Sequence, residues 1–382
     1  MARTDRTRLI AASAARAAGL PGAETVLANM DPSAFGSLLL EVARHQADHQ
    51  RPSDVLVHGA EPLFGASAID ARLFHRFHSV ALDVTEAFEA LDLAPVAPFG
   101  TCAVLSGIDQ NNVLSALRRA EVLADPTVVL ALAAASRRHS PAARRSSSVR
   151  LCASTRVVRM QSLAGAPPGY TPHFRLFALG TAGRDTGEHR FETDTLAEHI
   201  LAWLRLADGL RMVGFRIGRL TVEICEVDAV SALCSAQGVA VEEVRAVAAA
   251  HRIGAANDVL ARRGATLPNA VTDPRADLGT LHAWLPRETA LRLDRVRERV
   301  FPAIAAAFPG TEVRFDLSRL EGLGYYRGLA FRISFDGPSG SLPVVDGGFT
   351  TWTQTLLADR KERFLASAIG TELICKAYAP RS

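Results

Sequence analysis

The sequence predicts an α+β fold: an antiparallel sheet flanked by helices, with a small helical insertion. Three observations predict it. Runs that alternate apolar and polar residues as strands do occupy the middle and the end of the chain, at "VRLCASTRVVRMQ", "HFRLFALG", "RIGRLTVEICEV" and "LAFRISF". Helical stretches surround these runs without alternating one for one with them, so a parallel βαβ series is not indicated. One long stretch, 228–307, is helical and rich in Ala and Arg, and reads as an insertion between strands.

The elements follow in order. Residues 1–70 form an N-terminal helical segment. Its Arg- and Ala-rich start superficially resembles a transit peptide but reads as a short amphipathic helix. His45 and His49, four apart, share a helix face, and no third ligand at fixed spacing joins them, so an exposed helix end is expected. The core is expected over 71–227 and 308–382. "LFHRFHSVALDVTEAFEAL" has helical spacing, and "LAPVAPFGTCAVL" breaks it with prolines and a glycine. "DPTVVLALAAASRR" carries Asp125 as cap, Pro126 in the first turn and arginines at the end.

"HSPAARRSSSVR" is basic and Ser-rich and reads as a mobile loop, with RNA contact as a lesser reading. The next two strand runs form a hairpin with "SLAGAPPGYTP" as a long tip. Strand alternation puts His173, Arg175, Phe177 and Leu179 on one face. The hairpin arginines face either solvent or an anion-binding hollow. "GRDTGEHRFETDTLAEHILAWLRLADGL" opens on turn residues and continues as a helix. The end of the chain reads as strand, hairpin, a Gly347-Gly348 turn and a closing helix. Tyr325 and Tyr326, two of only four tyrosines, stand before an alternating strand. If they belong to that strand, they point to opposite faces.

Composition bounds the function. A chain of 382 residues buries a large core without staples, and 48% hydrophobic with 22% charged residues is ordinary for a globular protein. The net charge of +3 calls for no nucleic-acid partner. Cys102, Cys152, Cys225, Cys234 and Cys375 are scattered without a CxxC pair, which favours buried reduced thiols of a cytoplasmic protein over a disulfide framework or a zinc site. No metal site is expected. No apolar run approaches the roughly 18 residues of a membrane span, so no membrane partner is expected.

Four motifs in order carry a family resemblance across roughly 70–375. "EGLGYYRG", "DGGFTTW" and "IGTEL" follow one another as do the R-G-L-D-Y-Y-T-G, G-G-R-Y-D and G-L-E-R motifs of class II aminoacyl-tRNA synthetases, histidyl type. Upstream, "RVVRMQ" with "HFRLFALG" resembles the motif 2 hairpin. "ADPTVVLALAAASR" resembles the family's R-P-x-x-T stretch. Arg159 falls on the motif 2 arginine, and Asp125 and Thr127 on the amino-acid side. The departures are Glu321 and Leu373 where the family has arginines, Gly324 where it has aspartate, and Leu176, Ala178 and Ala182 where it holds the substrate ammonium. Adenylate formation builds negative charge on a phosphate, and arginines answer it, so these losses argue against ordinary activation.

The family's synthetases continue past the position of Cys375 into an anticodon-binding domain, so full tRNA is not an expected partner. The layout is similar to that of the regulatory subunit of ATP phosphoribosyltransferase, including Asp-Leu-Ser before the tyrosine motif. The resemblance implies a homodimer that binds a small amino-acid-like ligand and works with a phosphoribosyltransferase catalytic subunit. The alternative is an adenylate-forming enzyme that uses ATP with Mg²⁺ and a non-tRNA acceptor. No catalytic residue is assigned. The candidate ligand-binding residues are Asp125, Thr127, Arg159, His173, Arg175, Arg184, Asp185, Glu321, Tyr325, Tyr326, Asp346, Gly347 and Gly348.

Overall fold

A computed structural model describes residues 3–145, 148–160, 171–249, 255–265, 271–272 and 285–380. The hairpin tip over 161–170 and most of "GATLPNAVTDP" lie outside the described residues. The chain forms two compact units, Met1–Gly65 with Ser115–Ala120, and Ala66–Leu114 with Glu121–Ser382.

The first unit is built on four helices, Arg3–Ala17, Ala23–Ala28, Pro32–Asp48 and Pro52–Gly59. The third starts where its sequence dictates. The Asp31 carboxylate accepts the backbone N–H of Ser33 (2.9 Å) and Ala34 (3.1 Å), and Pro32 occupies the first turn. His45 and His49 stack at 4.7 Å between centroids, and His49 Nδ1 donates to the His45 carbonyl (2.7 Å), so the pair finishes a helix end.

The second unit is organised by one nine-stranded sheet. Its strands are β1 (Glu89–Leu91), β2 (Val149–Val158), β3 (His173–Arg184), β4 (Leu220–Glu226), β5 (Val271–Thr272), β6 (Glu312–Asp316), β7 (Leu329–Gly337), β8 (Gly340–Thr350) and β9 (Glu362–Gly370). The spatial order is β1-β2-β3-β9-β8-β7-β4-β6-β5. Only β1/β2 and β4/β6 are parallel; the other neighbours run antiparallel. The α+β expectation holds, with helices on both faces.

Period-2 alternation assigns those faces. Phe177 and Leu179 of β3 join Phe331, Ile333, Leu365 and Ile369 under the helix Arg190–Met212, which buries Leu196, Ile200, Trp203 and Leu210. Each such side chain contributes about 1.5–3 kcal/mol by leaving water. Ala178 and Ala182 face the other way, and their small size admits the helix Pro126–Arg137 with Val128, Leu130 and Ala134. The helices Val227–Ala236, Val241–Ala249 and Ala255–Arg262 gather around a separate cluster with Leu320, Leu323 and Tyr326. The helical run from Arg287 to Ala307 instead sends Leu293, Val300 and Ile304 into the main core.

Three local expectations change. The helix of the "LFHRFHSVALDVTEAFEAL" stretch is Ala71–Asp83, and Glu89–Leu91 pairs as a strand edge on β2. Gly347-Gly348 is not a turn but the middle of β8, paired to Phe331 and Ala330 of β7. The basic stretch after Arg137 holds a short helix, Pro141–Arg145, and three of its arginines are engaged within the fold, while Arg145 is exposed. Arg138 is fully buried in a two-pronged pair with Glu362 (2.7 and 2.9 Å), Arg144 reaches Asp359 (3.5 Å), and Arg150 pairs with Glu198 (2.6 Å). All five cysteines are buried and free. Among the described residues no helix is long and apolar enough to cross a membrane.

His199 ties the long helix to two strands. Its ring nitrogens meet Thr181 Oγ1 (2.9 Å) and Ser367 Oγ (2.8 Å), and Trp203 Nε1 donates to the same Ser367 Oγ (2.9 Å). Burial, with a lesser contribution from Arg150, pushes its pKa down to about 3. Unfolding releases a histidine that titrates near its ordinary value. The stability it confers is therefore complete above about pH 6.5 and is lost as pH falls toward 3, at a slope approaching about 1.4 kcal/mol per pH unit. Denaturation curves from pH 7 to pH 4.5 should show that component in the wild type and lack it in His199→Gln. For the buried ion pair, Arg138→Met should cost about 3–5 kcal/mol by stranding Glu362, and the double change Arg138→Met/Glu362→Leu should recover most of it. Urea denaturation of both variants reads the difference.

Candidate functional site

A cavity of about 410 Å³ opens on the side of the sheet that carries the helix Pro126–Arg137. Its edge coincides with an irregularity in β8: Ile333 pairs with Val345 and Ser334 with Pro343, so Val344 is an extra, unpaired residue. A bulge there re-aims the strand, and Pro343, which has no N–H to donate, sits where none is needed.

The tyrosine motif forms one wall. Tyr325 and Tyr326 are not in a strand, since β7 begins at Leu329. Both backbone N–H groups bond to the Gly322 carbonyl (3.1 and 2.8 Å), which folds the segment into a turn. The rings therefore lie side by side, 4.3 Å between centroids and tilted by 57°, and both line the cavity. The opposite-face expectation fails because it assumed strand geometry. Burial raises both phenol pKa values.

Glycines make this packing feasible. A Cβ at Gly322 would fall 2.4 Å from Tyr326 Cδ2, and φ there is +90°. A Cβ at Gly348 would fall 2.6 Å from Tyr326 Cδ1. Gly347 clears space on the other face, against Ser367 and Phe331. The two β8 glycines serve ring and strand packing rather than lining the hollow.

The helix Pro126–Arg137 contributes its start. Asp125 Oδ1 accepts from the Thr127 backbone (2.9 Å) and hydroxyl (2.7 Å), and Oδ2 meets Arg159 Nη2 (3.4 Å). Arg159 also donates to the Ala124 carbonyl (3.0 Å) and lies over the Phe174 ring at 5.2 Å. Ser106 arrives on the short helix Thr101–Ser106, whose start is held by the buried Glu121 carboxylate through Gly100 N (2.8 Å) and Cys102 N (2.9 Å).

Sequence reasoning missed Arg319, the buried cation of the wall. Asp316 Oδ1 accepts from Ser318 N (3.1 Å) and Oγ (2.7 Å), an Asx turn that delivers Arg319 inward. Arg319 is 4% exposed. Its Nη2 bonds to Asp346, its Nε donates to the Glu321 carbonyl (3.0 Å), and its guanidinium sits 5.8 Å from the Tyr326 centroid. Burial works against its charge, but Asp346 together with the neighbouring Tyr326 and Cys225 outweighs it, so its pKa is raised. Nη1 is buried without a hydrogen-bond partner among the described residues. Arg332, also missed, lines the cavity while bonded to Glu223 (2.9 Å) and Asp316 (3.2 Å). Burial alone would raise Glu223, but Arg314 and Arg332 hold it below the usual carboxylate range. The Asp-x-Ser spacing before Arg319 was the available signal.

This architecture has solved counterparts. A protein described as an ATP phosphoribosyltransferase regulatory subunit/histidyl-tRNA synthetase from Bacillus halodurans C superposes with a TM-score of 0.59 at 16% identity, over 81% of this chain and 80% of that one. Histidyl-tRNA synthetase from Nostoc sp. PCC 7120 gives 0.58 at 16% identity, over 83% and 74%. A histidine–tRNA ligase subunit from Alicyclobacillus acidocaldarius gives 0.55 at 16%, over 81% and 94%.

The chain has the histidyl-tRNA-synthetase-like class II fold.

No family model and no curated protein matches the sequence. At 16% identity the likeness is one of fold. Apart from Gly347 and Gly348 in the middle of β8, the sequence-derived candidates separate into three places within this class II fold. Asp125, Thr127, Arg159, Glu321, Tyr325, Tyr326 and Asp346 line one cavity. His173 and Arg175 share the Phe177 face of β3 and turn away from it. Arg156 Nη1 meets His173 Nδ1 (2.8 Å), and Arg156 and Arg175 both lie beside Phe74, at 5.9 and 5.8 Å. Arg184 and Asp185 end β3 at the far margin. They form no turn bridge with each other: Arg184 pairs with Asp359 (2.9 Å), and Asp185 with Arg363 (2.9 Å). Arg363 also holds Glu192 (2.9 Å).

Gly348→Ala should push the Tyr326 ring out of its seat at a cost of about 1–3 kcal/mol, as overpacking does. Chemical denaturation measures the loss, and altered near-ultraviolet circular dichroism of the tyrosines reports the displaced wall.

Proposed function

We propose that the chain is a non-charging histidyl-tRNA-synthetase paralogue, a cytoplasmic homodimeric regulatory subunit that holds a small amino-acid-like ligand in the tyrosine-walled cavity and acts with a phosphoribosyltransferase catalytic subunit. One observation carries the reading: the cavity's guanidiniums are already engaged. Arg159 is paired with Asp125, Arg319 with Asp346, and Arg332 with Glu223 and Asp316. Phosphoryl chemistry needs arginines available to a developing charge. Glu321 and Leu373 occupy two positions where the class II motifs carry them. A triphosphate with Mg²⁺ would meet three guanidiniums that are each already paired with a carboxylate.

The layout supports ligand holding instead. Asp125 and Thr127 fix the helix start beside the hollow, the tyrosine rings give an apolar wall with a polar edge, and the volume lies within the usual range of about 300–1,000 Å³ for small-molecule sites. The regulatory assignment draws on the description of the Bacillus halodurans neighbour.

A second reading, an adenylate-forming enzyme with a non-tRNA acceptor, is favoured by Arg159, which lines the cavity at the motif 2 position. Two assays separate the readings. Mixed with a short-form ATP phosphoribosyltransferase catalytic subunit, the chain should co-elute and restore activity; neither complex nor activation refutes the regulatory role. Pyrophosphate exchange should stay silent with all amino acids, and a signal with any of them transfers the assignment to the second reading.

A further inference from the structure

The hairpin that joins Ser115–Ala116 to Ala120–Val122 carries strain at its tip. Arg118 and Arg119 have φ of +68° and +58°. A side chain in that left-handed region crowds its own backbone, so hairpin tips of this kind ordinarily use Asn-Gly or Gly-Gly. This chain keeps two arginines there. Both are exposed, and among the described residues neither has a hydrogen bond or an ion pair. Strain retained where a relaxed sequence would make the same turn points to a use outside the fold.

A second observation lies in the same compact unit, which joins this tip to the four N-terminal helices. None of residues 7–65 is buried. Leu9, Ile10, Val55, Leu56 and Val57 are each more than half exposed. Helices of six to seventeen residues draw their stability from packing, and here the apolar side chains that would supply it face outward. Apolar surface left open in this way marks a contact face.

Charge identifies what the face fits. Within the unit Glu41 pairs with Arg44, Asp54 with Arg51 and Glu61 with His58, while Asp31 caps its helix. Among the described side chains this leaves Arg8, Arg16, Arg118 and Arg119 without a carboxylate, against Glu24 and Asp48 without a cation. Positive charge is in excess, so the same face of a second copy would add to the excess rather than answer it. A nucleic acid needs a basic stripe and gains nothing from bare apolar helices. A protein face with an apolar centre and acidic margin answers both features.

We infer that the arginine tip and the N-terminal helices form the docking surface for the catalytic subunit, through an acidic and partly apolar face of that subunit. The inference rests on the regulatory reading above and assigns it an interface on this chain.

The test titrates the full chain with a short-form ATP phosphoribosyltransferase catalytic subunit, at low and at high salt, by calorimetry. The double change Arg118→Asn/Arg119→Gly gives the turn its preferred residues. It should melt a few degrees above the wild type and yet bind at least about tenfold more weakly. Wild-type binding should weaken with salt, and binding by the double variant should respond less. Leu56→Glu, at a side chain 78% exposed, should keep the wild-type melting temperature and also weaken binding. If either variant binds as tightly as the wild type, or if the double variant melts no higher, this surface is not the interface, while the regulatory reading stands on the complex itself. If the wild type forms no complex, both fall. If it instead binds single-stranded RNA, and the double variant does not, the tip reads phosphate and the protein partner is wrong.

Discussion

The cavity wall depends on one ring lying where only glycines admit it. Tyr326 is held between Gly322 on its own turn and Gly348 on β8. From that seat it touches Tyr325, supports the Arg319 guanidinium and joins the cluster made by the helices over 227–262. The sheet, the helical layer and the hollow therefore share one contact. Close-packed interiors transmit strain, so a shift of this ring is felt in all three.

Charge follows packing. An arginine taken 96% out of water needs a partner close by, and Asp346 supplies it from the strand that also carries Gly348. The same economy governs Arg138 with Glu362 and Arg332 with Glu223. In each case a guanidinium that sequence alone would assign to solvent or to a ligand is consumed by the fold. What distinguishes the hollow is the side chain left over at its lip, the exposed Glu321 carboxylate.

Local signals were legible and distant partners were not. Asp125 before Pro126 announces its helix because the cap and its recipients are two residues apart. The β2–β3 hairpin announces itself by alternation, and the same parity placed His173 and Arg175 beside Phe177. That face is the one covered by the helix Arg190–Met212, and the burial of Phe177 fixes the side. The tyrosine pair misled because adjacent residues were assigned strand geometry, whereas a turn closed by the Gly322 carbonyl sets their rings side by side. Arg319 was passed over because its partner, Asp346, lies 27 residues away across the sheet. Arg184 and Asp185 read as ligand-binding candidates because their partners, Asp359 and Arg363, are brought near only by pairing of β3 with β9.

The Arg319–Asp346 pair also constrains how this protein can change over generations. Loss of Asp346 leaves the buried Arg319 guanidinium without its counterpart, whereas Asp346 itself is half-exposed, so it is position 346 that does not drift alone. An arginine introduced at 321 would enter a site where Asp346 is already committed to Arg319. A change in the charge of this wall is thus tolerated only while Arg319 keeps an anionic neighbour. One buried cation therefore restricts the order in which substitutions can arrive at this wall.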